Sequence, residues 1–399
     1  MKVAILGYGT VGSGVFDVIR GNHAIIEKRV GAPIEVKYVL DLREFPGNPV
    51  EPYLVHDFRT IIEDPEIDII VEVMGGLHPS YEYVKEALLS GRSVCTSNKE
   101  LVAAYGAELI GIARERSINF LFEASVGGGI PVIRQLMRSV TADEVEEVAG
   151  ILNGTTNYMM TRMREDGISF DEALADAQAN GFAERNPAAD IEGFDACRKI
   201  AILTSLAYGQ QVDYREIYTE GITKISDVDV AYAKAMKRGI KLIARSYQKD
   251  GKVYAMVSPM MIRKKNPLYP VSGVFNAIMV RGNMLGEIMF YGKGAGKLPT
   301  ASAVVSDVID AAKHRFVNIP ILWSTEKLTL GKKDNMESRF FVRVAVADAD
   351  KAKATFDIHK TVELPEQTQE FAFVTKSMTE KAFADACEDL SVINSIRYE

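Results

Sequence analysis

The stretch KVAILGYGTVGSGVFDVI, residues 2–19, decides how the N-terminal part of the chain is read. A strand-like apolar run, KVAIL, ends in GYGTVG, after which VFDVI repeats its apolar residues at helical spacing. Gly7, Gly9 and Gly12 therefore form G-x-G-x-x-G between a strand and a helix. Bare backbone there, around Thr10 and Val11, can approach a pyrophosphate at the helix N-terminus. The pattern alone also fits a tight turn without a ligand; its place after a strand and before a helix selects dinucleotide binding. The acidic residue expected at the end of the second strand is Asp41, displaced along the chain by the insertion RGNHAIIEKRVGA at 20–32. Arg43 is close by. Asp41 would accept ribose hydroxyls and favour NAD, whereas Arg43 would meet a 2′-phosphate, so NAD and NADP both stay open.

Outward from this turn, apolar runs at 34–40, 67–74, 93–95 and 119–124 alternate with helical patterns at 79–90 and 100–116. Such alternation predicts a doubly wound parallel sheet over residues 1–130. A different pattern follows, with a strand at 145–152, an NGTT turn, a helix from Asn157 and another over 195–208. NAIMVR and MLGEIMFYG flank Gly282-Asn283 as a β-hairpin, and 252–262 reads as a further strand, so a mixed or antiparallel sheet is expected. The segment after GKGAG is a helix over 299–315, expected to pack back on the first domain. The polar link TEKLTLGKKDNME, 325–337, marks a domain boundary, and residues 337–399 read as a small βαββαβ unit.

Composition narrows the partners. The 399 residues are 47% hydrophobic and 25% charged, ordinary globular values. A net charge of -7 without any basic run speaks against nucleic acid or an anionic membrane surface. No apolar run nears the ~18 residues of a membrane span, and the first residues enter a strand without a signal-peptide pattern, so a cytoplasmic location is expected. The three cysteines, Cys95, Cys197 and Cys387, lack metal-ligand spacing and read as reduced thiols.

A second stretch, GFAERNPAADIEGFDACRKIAIL at 181–203, gathers carboxylates ahead of a lysine and an apolar run. Asp195 and Lys199 are spaced i, i+4 and share one helix face, while Glu184 and Asp190 precede them in a loop able to aim carboxylates into a cleft. Spacing alone is equally compatible with a surface ion pair beside a polar loop. Lys99, in CTSNKEL, falls at the carboxyl edge of the first sheet, at a first-turn position that opposes the helix dipole.

Taken together, GYGTVG, TSNKELVA, ASVGGGIPVI, ILNGTTNYM, GFAE with DIEGFDACRK, and GAGKLPTASAVVSD, in this order over residues 1 to 315, resemble homoserine dehydrogenase. The resemblance implies an α/β protein with a Rossmann-type NAD(P)-binding domain (1–130) and an α+β catalytic and dimerisation domain (131–325). It implies reversible NAD(P)-dependent interconversion of L-homoserine and L-aspartate 4-semialdehyde in threonine and methionine biosynthesis. By the same resemblance Lys199 and Lys99 handle the hydroxyl proton, Glu184 holds the substrate ammonium, and Asp195 and Asp190 orient substrate and lysine. Gly154 and Thr155 lie beside the substrate, and Gly296 and Gly75 contact the cofactor. Glu123, Val126, Gly128 and Ile130 resemble a monovalent-cation site, with sodium expected. A homodimer or homotetramer is expected.

Residues 337–399 are similar to an ACT domain, with SRFFVRVAVAD matching its first strand. Where the family usually has an aspartate-x-proline-glycine turn, this chain has DADKAKA, so weak or absent inhibition by threonine is expected. Two other readings compete. An aspartate-semialdehyde-type dehydrogenase needs an activated cysteine, and Cys95 and Cys197 both read as structural. A non-enzymatic dinucleotide sensor would have no need of the lysines and carboxylates just named.

Overall fold

A computed structural model describes residues 1–399. The first sheet is entirely parallel and consists of β1 (Lys2–Leu6), β2 (Glu35–Leu40), β3 (Leu54–Val55), β4 (Ile67–Glu72), β5 (Ser93–Thr96) and β6 (Phe120–Leu121). Its order, β3-β2-β1-β4-β5-β6, puts the switch point between β1 and β4, where ligands of doubly wound sheets bind. Val3 to Leu6 are buried on both faces, which is why β1 reads as an unbroken apolar run. The helix Lys297–Lys313 lies on this sheet: Ala301, Val304, Val305 and Val308 share one core cluster with Val3, Ile5, Phe16 and Ile19.

The second sheet runs, in order, Gly286–Lys293, Phe275–Gly282, Val145–Ile151, Arg238–Lys249 and Lys252–Arg263, and then continues into the C-terminal strands. Val392–Tyr398 pairs parallel with Lys252–Arg263 and is followed by Glu337–Ala345, Glu370–Thr375 and Ile358–Val362. Numbered within their own unit, those four strands have the order 4-1-3-2, a split βαββαβ arrangement. Two buried arginines join the unit to what precedes it. Arg343 binds Asp229 at 2.7 Å and Glu370 at 2.6 Å, and Arg397 binds Glu380 at 2.7 Å and Glu220 at 2.6 Å.

Several boundaries differ from the sequence reading for identifiable reasons. The run at 119–124 yields only Phe120–Leu121, because the Glu123 N–H turns to Asp307 Oδ2 at 2.8 Å and a 3₁₀ turn follows. The insertion at 20–32 contributes the helix His23–Val30, closed by Gly31 at φ +84°. The helix expected from Asn157 starts at Gly154, since Asn153 caps it by accepting from Thr156 N–H at 2.8 Å. The hairpin turn spans 283–285 rather than Gly282-Asn283. The polar link is packed: Ser324–Lys327 pairs with Gln210–Gln211, and Trp323 is buried with its indole N–H on Gln211 Oε1 at 3.0 Å.

Candidate active site

A cleft of roughly 1590 Å³ opens at the carboxyl ends of β1, β4 and β5 and is walled on its other side by the second sheet's loops and helices. It is lined by Thr10, Val11, Gly75, Lys99, Gly154, Thr155, Glu184, Asp190, Asp195, Lys199 and Gly296, which lie far apart in sequence.

At one end is the glycine turn. Gly7 has φ +98°, and a Cβ on Gly12 would stand 1.9 Å from the Gly7 carbonyl oxygen, so only glycine closes the turn. A Cβ on Gly9 would meet nothing within 4 Å, which leaves that face open to a ligand. The helix Thr10–Gly21 has neither a side-chain cap nor an acidic first turn, so its leading N–H groups are free for an anion. The helix Lys297–Lys313 also begins without a side-chain cap, at Gly296 on the cleft wall. The turn thus fits a dinucleotide pyrophosphate.

Asp41 and Arg43 pair with each other. The guanidinium donates to both Asp41 oxygens at 2.9 Å, and the N–H groups of Tyr8 and Arg43 add bonds of 2.8 and 3.0 Å. The Arg43 guanidinium outweighs partial burial and holds the Asp41 carboxyl at about 2.

Lys99 opens the helix Lys99–Glu115, capped by Asn98. Beneath it lies a residue the sequence reading passed over, Glu72. Fully buried at the end of β4, its carboxylate accepts from Thr96 Oγ1 (2.6 Å), Ser80 Oγ (3.1 Å) and the N–H groups of Met74 (2.9 Å) and Gly75 (3.3 Å). Burial pushes this carboxyl up, and the donors offset only part of the effect. Through Thr96, whose Oγ1 accepts from Asn98 N–H at 2.9 Å, Glu72 ties the Met74–Gly76 wall of the cleft to the start of the lysine's helix. A carboxylate deep inside the apolar run IDIIVEVM, four residues beyond Asp68, was the available signal.

The charged cluster of the cleft is centred on Asp195. Its side chain is 7% exposed, and its two oxygens face two lysines: Lys99 Nζ lies 3.1 Å from Oδ1, and Lys199 Nζ 2.6 Å from Oδ2. Burial alone would raise the Asp195 carboxyl, but the two ammonium groups more than offset it and hold it well below the usual range. Asp195 in turn raises Lys99 above the ordinary lysine value, against the effect of burial. Lys199 also donates to the Leu152 carbonyl at 2.8 Å, leaving one of its three donors for a ligand. Asn153, also missed, donates from one nitrogen to Asp195 Oδ2 (2.9 Å) and Asp190 Oδ1 (2.6 Å). Burial and the charge of Asp195 push Asp190 up. Thr155 Oγ1 donates to the Phe182 carbonyl at 2.6 Å and pins the loop that carries Glu184, whose side chain is exposed and makes no hydrogen bond.

At the bend 123–130 the Glu123 carboxylate accepts from the N–H groups of Ile133 (2.9 Å) and Arg134 (2.8 Å), so the side chain is committed to that helix. Val126 is fully buried, yet its carbonyl accepts no backbone hydrogen bond; the Ile130 carbonyl accepts from Val132 N–H at 3.0 Å. No group of three or more His, Cys, Asp or Glu side chains is arranged for a metal. Neither Cys95 nor Cys197 lines the cleft, and burial pushes both thiols up, away from nucleophile chemistry.

Residues 131–309 match the family model described as homoserine dehydrogenase, and residues 7–123 match that of its NAD binding domain. The chain is 34% identical to the homoserine dehydrogenase of Bacillus subtilis, over 100% of this chain and 97% of the relative. Among solved structures it is similar to a homoserine dehydrogenase from Thiobacillus denitrificans, at TM-score 0.92 and 33% identity, covering 100% of this chain and 98% of that one. A hyperthermophilic archaeal homoserine dehydrogenase mutant in complex with NADPH matches at TM-score 0.69 and 29% identity, covering 80% and 99%.

Proposed function

The chain belongs to the homoserine dehydrogenase family, and from that premise we propose that it interconverts L-homoserine and L-aspartate 4-semialdehyde with NAD or NADP, on the route toward threonine and methionine. The observation that carries this reading is the Asp195 carboxylate held between Lys99 and Lys199 in the same cleft as the dinucleotide turn. When bound, NAD(P) exchanges a hydride with the hydroxyl-bearing carbon. Lys199 handles the proton at the oxygen on that carbon: its ammonium protonates the oxygen as aldehyde becomes alcohol, and its amine takes the proton back in the reverse direction. Asp195 orients Lys199 toward that oxygen. Lys99, kept cationic, neutralises the other Asp195 oxygen. Initial rates with L-homoserine and either nucleotide, followed at the nicotinamide absorbance band, test the proposal.

Glu184 holds the substrate ammonium, while Asp190, Gly154 and Thr155 shape the site around it. Its free, exposed carboxylate is what such a contact needs. Glu184→Ala raises KM for L-homoserine with little change in kcat or Tm, because the contact is present in ground and transition states alike. A kcat loss larger than the KM change would contradict this role.

Asp41, ionised, accepts ribose hydroxyls, and Arg43 offsets the repulsion it would exert on a 2′-phosphate. NAD is used at least as readily as NADP. Comparing kcat/KM for the two cofactors, Arg43→Ala lowers the value for NADP more than that for NAD; an equal change would remove Arg43 from cofactor choice.

A monovalent cation, sodium by its preference for hard oxygen donors, is held at Glu123 together with the main-chain carbonyls of Val126, Gly128 and Ile130. The orphaned carbonyl of buried Val126 supports this. The edge strand Gly286–Lys293 shows exposed Met289 and Tyr291, which fit burial against a second copy in a dimer or tetramer. The C-terminal unit has the strand order of an ACT-like domain and is joined rigidly to the catalytic sheet through Arg343 and Arg397. Three free cysteines fit a reducing, cytoplasmic setting.

A further inference from the structure

One buried amide beside the cleft has no partner. Asn276, the second residue of the strand Phe275–Gly282, is fully buried, and neither its Nδ2 nor its Oδ1 makes a hydrogen bond. It lies against the backbones of two cleft-lining glycines. A Cβ on Gly294 would stand 2.0 Å from Asn276 Nδ2 and 2.2 Å from Cγ, and a Cβ on Gly154 would stand 3.5 Å from Oδ1. Gly294 leaves room for this amide, which any side chain at 294 would evict, and Gly154 lies at ordinary contact distance from it.

The isolation does not come from a loose surrounding. Asn157, on the helix that Gly154 opens, donates to the carbonyls of Val271 (3.3 Å), Gly273 (3.0 Å) and Phe275 (3.0 Å), and its Oδ1 accepts from buried Lys241 Nζ at 2.9 Å. The segment running into Asn276 is therefore fixed by a fully used polar network, and the next residue along carries a fully unused one. Buried amides are rarely left unpaired, and the exceptions gather where a functional state supplies the partner. The elements touching the amide are the N-terminus of the helix Gly154–Asp166, whose leading N–H groups lack intrahelical partners, and the Lys293–Thr300 wall of the cleft.

We propose that Asn276 is a positioning residue of this active site, its amide pairing with the Gly154 and Gly294 backbones only when substrate and cofactor draw the two walls of the cleft together. The amide then ties the substrate floor at Gly154 to the cofactor wall at Gly294. It acts through those backbones and has no exposed surface for contact with the substrate itself. The inference rests on the functional reading above.

The test exploits an opposition between stability and catalysis. Asn276→Leu, close in shape and without polar atoms, removes a buried unsatisfied group. It therefore leaves Tm of the free protein equal or higher while lowering kcat/KM for L-homoserine about tenfold or more. NAD(P)H binding to the free protein, read by fluorescence titration, stays within about twofold. Should Leu disturb packing, Asn276→Ser and Asn276→Ala form a matched small pair differing in one hydroxyl. Ser then retains the higher kcat/KM at similar Tm. Unchanged kcat/KM in Asn276→Leu, a parallel fall of Tm and activity in it, or identical kinetics for Ser and Ala would each overturn the proposal. A wild-type protein inactive toward L-homoserine would overturn the functional reading and this inference with it, whereas an active wild type with an indifferent Asn276→Leu overturns the inference alone.

Discussion

Lys199→Ala lowers kcat for L-homoserine oxidation by roughly 10²- to 10⁴-fold, the usual worth of general acid–base assistance, and leaves NAD(P)H binding close to that of the wild type. The side chain is only 11% exposed, and two of its donors go to Asp195 Oδ2 and the Leu152 carbonyl, so its ammonium is fixed in place before any ligand arrives. That preorganisation is what alanine removes. The glycine turn is built from other residues, which is why cofactor binding is spared. Steady-state kinetics with a fluorescence titration of NAD(P)H separates the two effects. A variant with near-normal kcat and merely lower heat stability would mean that Lys199 is an ordinary partner of Asp195, and Lys99 would inherit the proton-transfer role.

Asp195→Ala is expected to be the most destabilising single change in the cleft, costing about 3 kcal/mol, at the lower end of what breaking a buried ion pair costs because Lys99 is 38% exposed and keeps some hydration. Removing the carboxylate leaves Lys99 and Lys199 without their shared counter-charge and strips Asn153 Nδ2 of one of its two acceptors. Activity falls with it, because the lysine loses the group that orients it. Asp195→Asn keeps an acceptor and costs less. A urea unfolding series of both variants reads the difference as a shift in midpoint at constant slope. The pH dependence has a defined sign. A carboxyl depressed in the folded state contributes stability that is complete above its unfolded value near ~3.9 and is lost as pH falls below it. The gap between wild type and Asp195→Ala therefore narrows only in acid. Equal stability of the two proteins at neutral pH would contradict the arrangement.

How far the sequence carried this account depends on the range of the interactions. The glycine turn was legible because strand, Gly7, Gly9, Gly12 and helix are contiguous, and their geometry is set by local sterics. The shared face of Asp195 and Lys199 was legible for the same reason, since i, i+4 is a helix-local distance. The second lysine on Asp195 was not legible from spacing, because Lys99 reaches it only once the two sheets dock. Asn153 was hidden in a plain capping position, where its link to Asp190 and Asp195 depends on a later helix. The Asp41 and Arg43 pairing spans only two residues, yet spacing alone does not say whether two neighbouring charges meet each other or the solvent. The C-terminal strands were recognised one by one, but their joining of the catalytic sheet rests on a single short parallel pairing and two buried arginines that no local pattern marks.

The central claim is that the Lys99, Asp195 and Lys199 cleft oxidises an alcohol without a covalent intermediate on the enzyme. The most direct measurement is the initial rate of nicotinamide reduction by the purified full chain with L-homoserine and NAD or NADP, with and without prior thiol alkylation. The account predicts reduction that saturates with L-homoserine, needs no added phosphate and survives alkylation, since Cys95 and Cys197 are buried away from the cleft. Absence of reduction with either nucleotide, or a rate that requires phosphate and vanishes on alkylation, would contradict it.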